Sequence, residues 1–263
     1  MIDLLVINYN TKEYMRRLLE ILNSDYEPGV WTLYVADNGS EDGSFDWLAE
    51  NQELYNIELV VGNTNIGYSA AVNDLARRSK GDILSAINSD TWFTTADMKY
   101  IQSTFDDYPD QAVFGPKQIN EQGLITHGGI VGVNTSLSHR GWRQYDPNDE
   151  LFKFRDEVPT VSGSLYFIRR SVWDEMEACS IYKEICGGDV PGPFLPTPHY
   201  YEETWFSYHC RDHGHKVYYD GTHTMGHTWA ASTGGPSPIL TEYMLKSKGI
   251  FIKACQTHGI EHD

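Results

Sequence analysis

The sequence is poor in positive charge: its 263 residues include 20 Lys and Arg against 37 Asp and Glu, for a formal net charge of −17. DNA, RNA and anionic lipid surfaces bind to basic proteins, so this balance disfavours them as partners. A nucleotide ligand is still compatible with it, because a bound divalent cation supplies positive charge locally. We therefore expect no nucleic-acid partner.

Long hydrophobic runs are also missing. No stretch of about 18 apolar residues occurs, and no basic segment precedes an apolar run at the start of the chain. The four cysteines form no C-x-x-C pair, which is typical of reduced thiols in a cytosolic protein. The sequence predicts a cytoplasmic protein without a membrane span, for which any membrane contact is peripheral.

Strand and helix patterns alternate over the first 108 residues. Apolar strand patterns occur at 2–7, 31–36, 57–61 and 82–87, and helical patterns at 11–22, 44–50, 69–78 and 94–108. This β-α-β order predicts an α/β fold with a largely parallel sheet and right-handed crossovers.

The second half of the chain is less regular. Glycines and short alternating runs at 118–159 indicate hairpins and loops, and the Gly- and Pro-rich stretch 186–198 indicates a loop. Strands are predicted at 160–169 and 216–219, and helices at 172–176, 199–213 and 239–257. No repeat or linker divides the chain, so we predict one domain over 1–263.

Polar residues follow each of the first four predicted strands. The four segments are Asn8-Tyr9-Asn10, Asp37-Asn38-Gly39-Ser40, Asn65-Ile66-Gly67 and Asn88-Ser89-Asp90. Parallel strands place their carboxyl ends at one edge of the sheet, where ligands bind. Any single segment is explained by turn formation or helix capping, but four together favour a functional edge. The sequence contains neither G-x-G-x-x-G nor G-x-x-x-x-G-K-[ST], so neither the dinucleotide fingerprint nor the P-loop applies.

These segments resemble the strand ends of family 2 glycosyltransferases with the GT-A fold, particularly the rhamnosyltransferase-like branch. The likeness continues through Gly115-Pro116-Lys117, Thr126-His127-Gly128-Gly129, Val161-Ser162-Gly163-Ser164, Ile168-Arg169-Arg170, Tyr201-Glu202-Glu203 and His227. It implies an α/β/α sandwich around a mainly parallel sheet. It also implies a Rossmann-like nucleotide-sugar-binding half (1–115), an acceptor-binding and catalytic half (116–235) and a C-terminal helix (236–263).

The resemblance implies a nucleotide-sugar site at the strand ends. Asp37 bonds the base, Tyr9 lies along it, and Asn88-Ser89-Asp90 replaces the D-x-D motif with Asp90 as the ligand of Mn²⁺ or Mg²⁺. The full set implied is Asn8, Tyr9, Asn10, Asp37, Asn38, Asn65, Gly67, Asn88, Ser89 and Asp90. Because this motif keeps one carboxylate instead of two, we expect modest metal affinity until the diphosphate oxygens complete the coordination.

Glu202-Glu203 matches the family's Glu-Asp pair, whose second acid is the catalytic base. Both lie in the first turn of a predicted helix, where the dipole favours the ionised form by roughly 0.3–1 kcal/mol. We therefore expect an ionised base at neutral pH. Acids also occur in first turns for capping alone. Glu203 is longer than the usual Asp, and Trp205 replaces a further acid, so the choice between Glu202 and Glu203 stays open.

The histidines suggest a second metal ligand. By resemblance His227, placed just after a predicted strand, contacts the metal or the diphosphate, and His223 competes with it. The group His209, His213 and His215 suggests zinc, which we disfavour because no cysteine lies at ligand spacing.

Four aromatic residues, Trp142, Tyr145, His127 and Trp205, suggest a platform for a sugar acceptor, with core packing as the alternative. The helical spacing of Tyr201, Trp205 and Tyr208 favours the core for that stripe.

The sequence thus predicts an inverting, metal-dependent glycosyltransferase of polysaccharide biosynthesis. Its donor is a UDP- or dTDP-sugar, and its acceptor is a hydroxyl of a glycan or glycolipid-type molecule. A sugar nucleotidyltransferase is one alternative, but residues 8–14 offer only Lys12 to hold a triphosphate. A nucleotide-sugar or glycan-binding module without turnover is the other, and the acids at 90, 202 and 203 argue against it.

Overall fold

The computed structural model describes residues 1–62, 64–133, 136–143, 148–181, 184, 192–229, 235 and 237–261. Its strands are β1 (Ile2–Asn8), β2 (Trp31–Asp37), β3 (Ile57–Gly62), β4 (Ile83–Asn88), β5 (Thr91–Trp92), β6 (Gln111–Ile119), β7 (Ile125–His127), β8 (Ile130–Val133), β9 (Ser136–His139), β10 (Arg155–Glu157), β11 (Leu165–Arg169) and β12 (Lys216–His227). Its helices are α1 (Lys12–Ser24), α2 (Ser44–Glu50), α3 (Tyr68–Arg78), α4 (Thr95–Asp107), α5 (Arg170–Ala178), α6 (Glu202–Asp212) and α7 (Pro238–His258).

One mixed sheet organises these elements, in the order β10-β12-β6-β11-β4-β1-β2-β3. The strands β1 to β4 are parallel, and β6 is parallel to β12, whereas β11 runs antiparallel between β4 and β6. Six of these eight described strands therefore point the same way, and their carboxyl ends share one edge. The predicted α/β fold is confirmed.

Helices cover both faces of the sheet. On one face Leu4 and Val6 pack with α1 and α4, and on the other Leu5 and Ile7 pack with α3, α5, α6 and α7. Every residue of β1 is buried, which explains its continuous apolar run. The structure is the α/β/α sandwich expected. Among the described helices, none combines the length and apolarity needed to cross a bilayer.

The main departures from the sequence prediction lie in the second half. Strand β6 was not predicted, and β12 continues eight residues beyond Tyr219. The two strands pair with each other through one irregularity. Asp220 pairs with Pro116 and Thr224 pairs with Lys117, so residues 221–223 form a bulge in β12. A bulge tolerates the missing N–H of proline in an interior strand.

Helix α6 begins at Glu202, not at residue 199, because Tyr200 and Tyr201 adopt left-handed backbone angles (φ 68° and 70°) that a right-handed helix cannot include. Strand β11 likewise begins at Leu165, not at residue 160. Of the predicted loop 186–198, residues 192–198 are described, and they contain no regular helix or strand.

Candidate active site

The register of the sheet brings the predicted strand ends into one row. Asn8 pairs with Asp37, Asp37 pairs with Gly62, and Ile7 pairs with Asn88. Three of the four polar segments predicted to form a ligand site therefore begin beside one another.

A hydrogen-bond network joins the ends of β1 and β2. The Asn8 Nδ2 donates to Asp37 Oδ2 at 2.7 Å, and the Ser40 backbone N–H donates to Asp37 Oδ1 at 2.8 Å. Both Asp37 oxygens thus already accept a bond, and the side chain is 1% exposed. Asp37 and Asn38 also line a cavity of about 180 Å³ with the end of β3 and the start of α3. The Asp37 carboxylate therefore stabilises the wall of this cavity. A hydrogen bond from a nucleotide base would have to use the lone pairs of Asp37 that the two existing bonds leave unoccupied.

Asparagines hold the neighbouring loops together. Asn38 Oδ1 accepts from the Ile66 N–H at 2.9 Å, Asn65 Oδ1 from the Gly67 N–H at 3.0 Å, and Asn10 Oδ1 from the Glu41 N–H at 2.8 Å. A Cβ on Gly39 (φ 81°) would lie 2.7 Å from the Asn65 nitrogen, so only glycine permits this approach. Tyr9 is 41% exposed beside them, an arrangement compatible with contact to a flat ligand.

The structure places Asp90 beside His227. Short strand β5 pairs with the end of β12, matching Thr91 with His227, and the Thr228 N–H donates to the Asp90 carbonyl at 2.9 Å. As a result Asp90 Oδ1 lies 3.4 Å from His227 Nε2, with both side chains 7% exposed. His227 is the last residue of its strand, not the residue after it.

The other predicted residues near Asp90 have structural partners. Ser89 Oγ bonds Thr11 Oγ1 at 2.6 Å, which fixes the start of α1. The Asn88 N–H donates to the Ser164 carbonyl at 3.0 Å. His223 pairs with Asp97 at 2.8 Å instead, so it does not compete with His227 for Asp90.

The Asp90–His227 pair fits a divalent cation. Adjacent ligands of an octahedral ion with bonds near 2.1 Å lie about 3 Å apart, close to the observed separation. A carboxylate with an imidazole suits Mn²⁺ better than Mg²⁺, which prefers oxygen ligands alone.

Glu202 and Glu203 occupy the first turn of α6, as predicted. Glu202 Oε2 accepts from the Thr197 hydroxyl at 3.0 Å. The Glu203 carboxyl packs against Gly163, where a Cβ would lie 3.2 Å from Glu203 Cδ. Glu203 Oε2 is buried and has no hydrogen-bond partner among the described residues. This oxygen is therefore available to accept a proton from a ligand.

The ionisation of the pair differs from the expectation. Burial raises the pKa of Glu202 from 4.5 to about 7. Burial, and then the charge of Glu202, raises the pKa of Glu203 to about 8. A rise of this size at Glu202 corresponds to roughly 3 kcal/mol, against roughly 0.3–1 kcal/mol from a helix dipole. The desolvation cost exceeds the helix-dipole stabilisation, so the prediction of an ionised base at neutral pH is wrong for the ligand-free protein.

Tyr68 is a site residue that the sequence prediction missed. Its hydroxyl donates to the Gly163 carbonyl at 3.1 Å. Its pKa is raised well above the usual value by burial and then by the charges of Glu202, Glu203 and Asp90. Tyr68 thus lies within electrostatic reach of all three acids. The sequence could have indicated Tyr68, because it is the first residue of a helix that follows the polar residues after β3.

The structure corrects two of the predicted acceptor residues. His127 and Trp205 are each 0% exposed, so neither can stack on a sugar. His127 bonds His139, Nδ1 to Nδ1, at 3.2 Å, and Trp205 stacks on His209 in the core. Tyr145 lies outside the described residues.

Trp142 remains partly exposed, and its ring meets that of Trp229 edge to face at 4.8 Å. Trp229 was not predicted. It follows His227 by two residues with a left-handed backbone (φ 65°), so an aromatic pair stands next to the Asp90–His227 pair.

Similar proteins share the sequence pattern and the fold. The putative glycosyltransferase EpsH of Bacillus subtilis is 33% identical over 91 residues, which are 35% of this chain and 26% of EpsH. The abequosyltransferase RfbV of Salmonella typhimurium is 22% identical over 212 residues, which are 74% of this chain and 60% of RfbV. The chain therefore spans less than two thirds of the length of either relative.

Two solved structures resemble this protein in fold. The crystal structure of GalNAc-T7 with UDP, GalNAc and Mn²⁺ aligns with a TM-score of 0.68 at 17% identity, covering 97% of this chain and 48% of that one. Residues 1–349 of Staphylococcus aureus TarS align with a TM-score of 0.56 at 13% identity, covering 97% and 72%. Both share the predicted GT-A fold. The model of the family described as Glycosyl transferase family 2 matches residues 3–176, more than half of the chain, and the protein therefore belongs to this family.

Proposed function

We propose that this protein transfers a sugar from a UDP- or dTDP-sugar to a hydroxyl group of a glycan or glycolipid-type acceptor, with inversion at the sugar carbon. Asp90 and His227 hold Mn²⁺ or Mg²⁺ in this proposal. The observation that carries it is the buried Asp90–His227 pair, 3.4 Å apart at the ligand-binding edge of the sheet. Similarity to the abequosyltransferase RfbV, whose name describes transfer of an abequosyl group, is in keeping with this reaction class.

The charge of the site supports a metal. The residues assigned to the nucleotide sugar include no Lys or Arg, and the chain carries a net charge of −17. When bound, the ion neutralises the charge that develops on the departing diphosphate. The chain's own residues orient the donor through the loops that Asn10, Asn38 and Asn65 hold together.

Glu203 is the proposed base. Its Oε2 is buried without a hydrogen-bond partner among the described residues, whereas Glu202 Oε2 already accepts from Thr197. Glu203 removes the proton from the acceptor hydroxyl, while Glu202 and Tyr68 set the electrostatics around it. The Trp142–Trp229 pair offers the acceptor an aromatic face. No covalent intermediate is needed for inversion.

A matched pair of variants tests the metal assignment. Asp90→Asn is expected to lower Mn²⁺-dependent turnover of the donor by at least about 100-fold, because a Lewis acid supplies several kcal/mol of charge stabilisation. Asp97→Asn breaks the half-buried Asp97–His223 contact, which lies outside the proposed site, and is expected to stay within about twofold of wild type. Similar losses in both variants would assign the effect to general destabilisation.

Product analysis separates the remaining alternatives. Release of a nucleoside diphosphate supports glycosyl transfer when NMR shows that the anomeric carbon of the transferred sugar has inverted in the product. Formation of pyrophosphate from a nucleoside triphosphate and a sugar 1-phosphate identifies nucleotidyl transfer. Binding of donor without any product, in the presence of acceptor and metal, identifies a binding module.

A further inference from the structure

Three metal-binding side chains meet away from the sheet edge, where the C-terminal ends of α5 and α6 pack together. Cys179 follows the last residue of α5, His209 lies near the end of α6, and His213 directly follows α6. One ligand atom from each lies within 4.8 Å of the other two. The sequence disfavours zinc because no cysteine lies at ligand spacing, whereas the structure brings in a cysteine from a neighbouring helix.

The spacing suits a tetrahedral ion. Cys179 Sγ lies 3.7 Å from His213 Nε2. With Zn–S near 2.3 Å and Zn–N near 2.0–2.1 Å, tetrahedral geometry places sulfur and nitrogen about 3.6 Å apart. A cation between these two atoms needs almost no movement of either side chain.

Glu175 orients one of the two imidazoles. Its Oε1 lies 3.0 Å from His213 Nδ1, which leaves Nε2 of the same ring facing Cys179. A carboxylate bonded to the far nitrogen of a histidine is the usual support of a metal-binding imidazole. The other oxygen, Oε2, lies 2.9 Å from His215 Nε2, so His215 steadies Glu175 and is not part of the cluster.

Packing fixes the second imidazole. The His209 ring is fully buried, stacked on Trp205 at 5.5 Å and edge to face against His213 at 4.7 Å. The two helices are joined nearby by the Trp173 and Phe206 rings at 5.5 Å. The three ligands are therefore held in place by the fold before any ion binds.

We propose that Cys179, His209 and His213 form a zinc site, with water completing the tetrahedron. The site is separate from the proposed Mn²⁺ or Mg²⁺ site and does not depend on the proposed function. A thiolate–imidazolium ion pair between Cys179 and His213 is the competing arrangement. An ion pair would involve only Cys179 and His213. A bound cation also explains why His209 lies beside these two residues.

Cobalt substitution and zinc titration of the metal-depleted full-length protein test the site. We expect one equivalent of Zn²⁺, in competition with a chromophoric chelator, and a Co²⁺ complex with a thiolate-to-metal charge-transfer band. Cys179→Ser abolishes that band, and His213→Ala weakens zinc binding by at least about 100-fold. Glu175→Gln weakens it by about 10–100-fold through the lost support of His213.

Two control variants test which residues bind the zinc ion. His215→Ala keeps the charge-transfer band because His215 is not a ligand, and Asp90→Asn keeps the zinc equivalent because the two metal sites are separate. Circular dichroism checks folding of each variant. The proposal is overturned if wild-type protein shows no thiolate band, if the band survives Cys179→Ser, or if the zinc equivalent disappears in Asp90→Asn. Alkylation of Cys179 by iodoacetamide at an unchanged rate in saturating zinc would favour the ion pair and also overturn it.

Discussion

Glu203 lies where two electrostatic effects oppose each other. Its place in the first turn of α6 favours the charged carboxylate, and its burial beside Glu202 favours the neutral acid. The sequence reveals the first effect, because helix position follows from local pattern. The second depends on residues such as Gly163 and Tyr68, which are distant in the chain and close only in the fold.

The pH dependence of stability tests this balance. The Glu203 carboxyl ionises near pH 4.5 when unfolded and near pH 8 when folded, so the unfolded state loses its proton first and stability falls between these values. Glu203→Gln removes this loss. The variant should match wild type at pH 4.5 or below and exceed it by ~4 kcal/mol at pH 8, measured by thermal unfolding without metal or nucleotide.

The control for this measurement is Glu150→Gln, an exposed glutamate paired only with Lys153 among the described residues. Its effect on the unfolding temperature should be the same at both pH values. If Glu203→Gln also changed the unfolding temperature by the same amount at both pH values, burial would not raise the pKa of the Glu203 carboxyl. In activity assays Glu203→Gln should lose turnover by orders of magnitude and retain donor binding, in contrast to a variant that merely unfolds.

At the scale of elements, the packing of α6 against the segment before β11 decides where the acids point. Tyr200 and Tyr201, both left-handed, direct the chain into α6, and Gly163 lets the Glu203 carboxyl approach the backbone. Left-handed angles at two tyrosines are not predictable from sequence, since tyrosine ordinarily avoids them. Such strain is typical of functional sites, where the surrounding structure enforces it.

Gly163→Ala tests the approach of Glu203. The new Cβ would lie 3.2 Å from Glu203 Cδ, so the carboxyl must shift by a few tenths of an ångström. We expect kcat/KM to fall about tenfold, because small displacements of reacting groups are costly, while stability changes by less than about 1 kcal/mol. Steady-state kinetics and thermal unfolding measure the two effects.

Gly249→Ala is the matched control, since a Cβ there meets no atom within 4 Å and the residue lies inside α7. This change should stabilise the helix by up to about 1 kcal/mol and leave kcat/KM unchanged. Wild-type activity in Gly163→Ala would show that the contact does not position Glu203.

The sequence predicted elements well where local pattern dominates. The strands β1 to β4 and the helices α1 to α4 were placed within two residues of their observed ends, whereas the two-residue strand β5 was not predicted. The sequence did not predict β6 or the second half of β12. Pro116 in β6 and the polar residues after Tyr219 are not typical of strands, and the pairing of these two strands depends on a bulge. Long-range pairing, not local preference, specifies those elements.

At the scale of the whole molecule, the net charge of −17 opposes an anionic ligand, so we expect donor binding to depend on the proposed cation. UDP or dTDP alone should raise the unfolding temperature by no more than about 1 °C. With Mn²⁺ and nucleotide at 100 times the dissociation constant, stabilisation of ~2.7 kcal/mol should raise it by roughly 5–10 °C. Differential scanning fluorimetry measures both.

The Asp90→Asn variant and Mn²⁺ without nucleotide are the controls for this experiment. Both should lack the combined shift. An equal shift with nucleotide alone would mean that the protein supplies the countercharge itself and that the proposed metal is dispensable for donor binding.

The order of strands in the sheet has a consequence for synthesis on the ribosome. Asp90 emerges early, but its partner His227 belongs to β12, and the Thr228 N–H reaches back to the Asp90 carbonyl. A nascent chain that has made the first 215 residues contains the nucleotide loops and both glutamates, yet lacks half of the Asp90–His227 pair. If Asp90 and His227 form the proposed metal site, catalytic competence should therefore appear only after β12 has been translated.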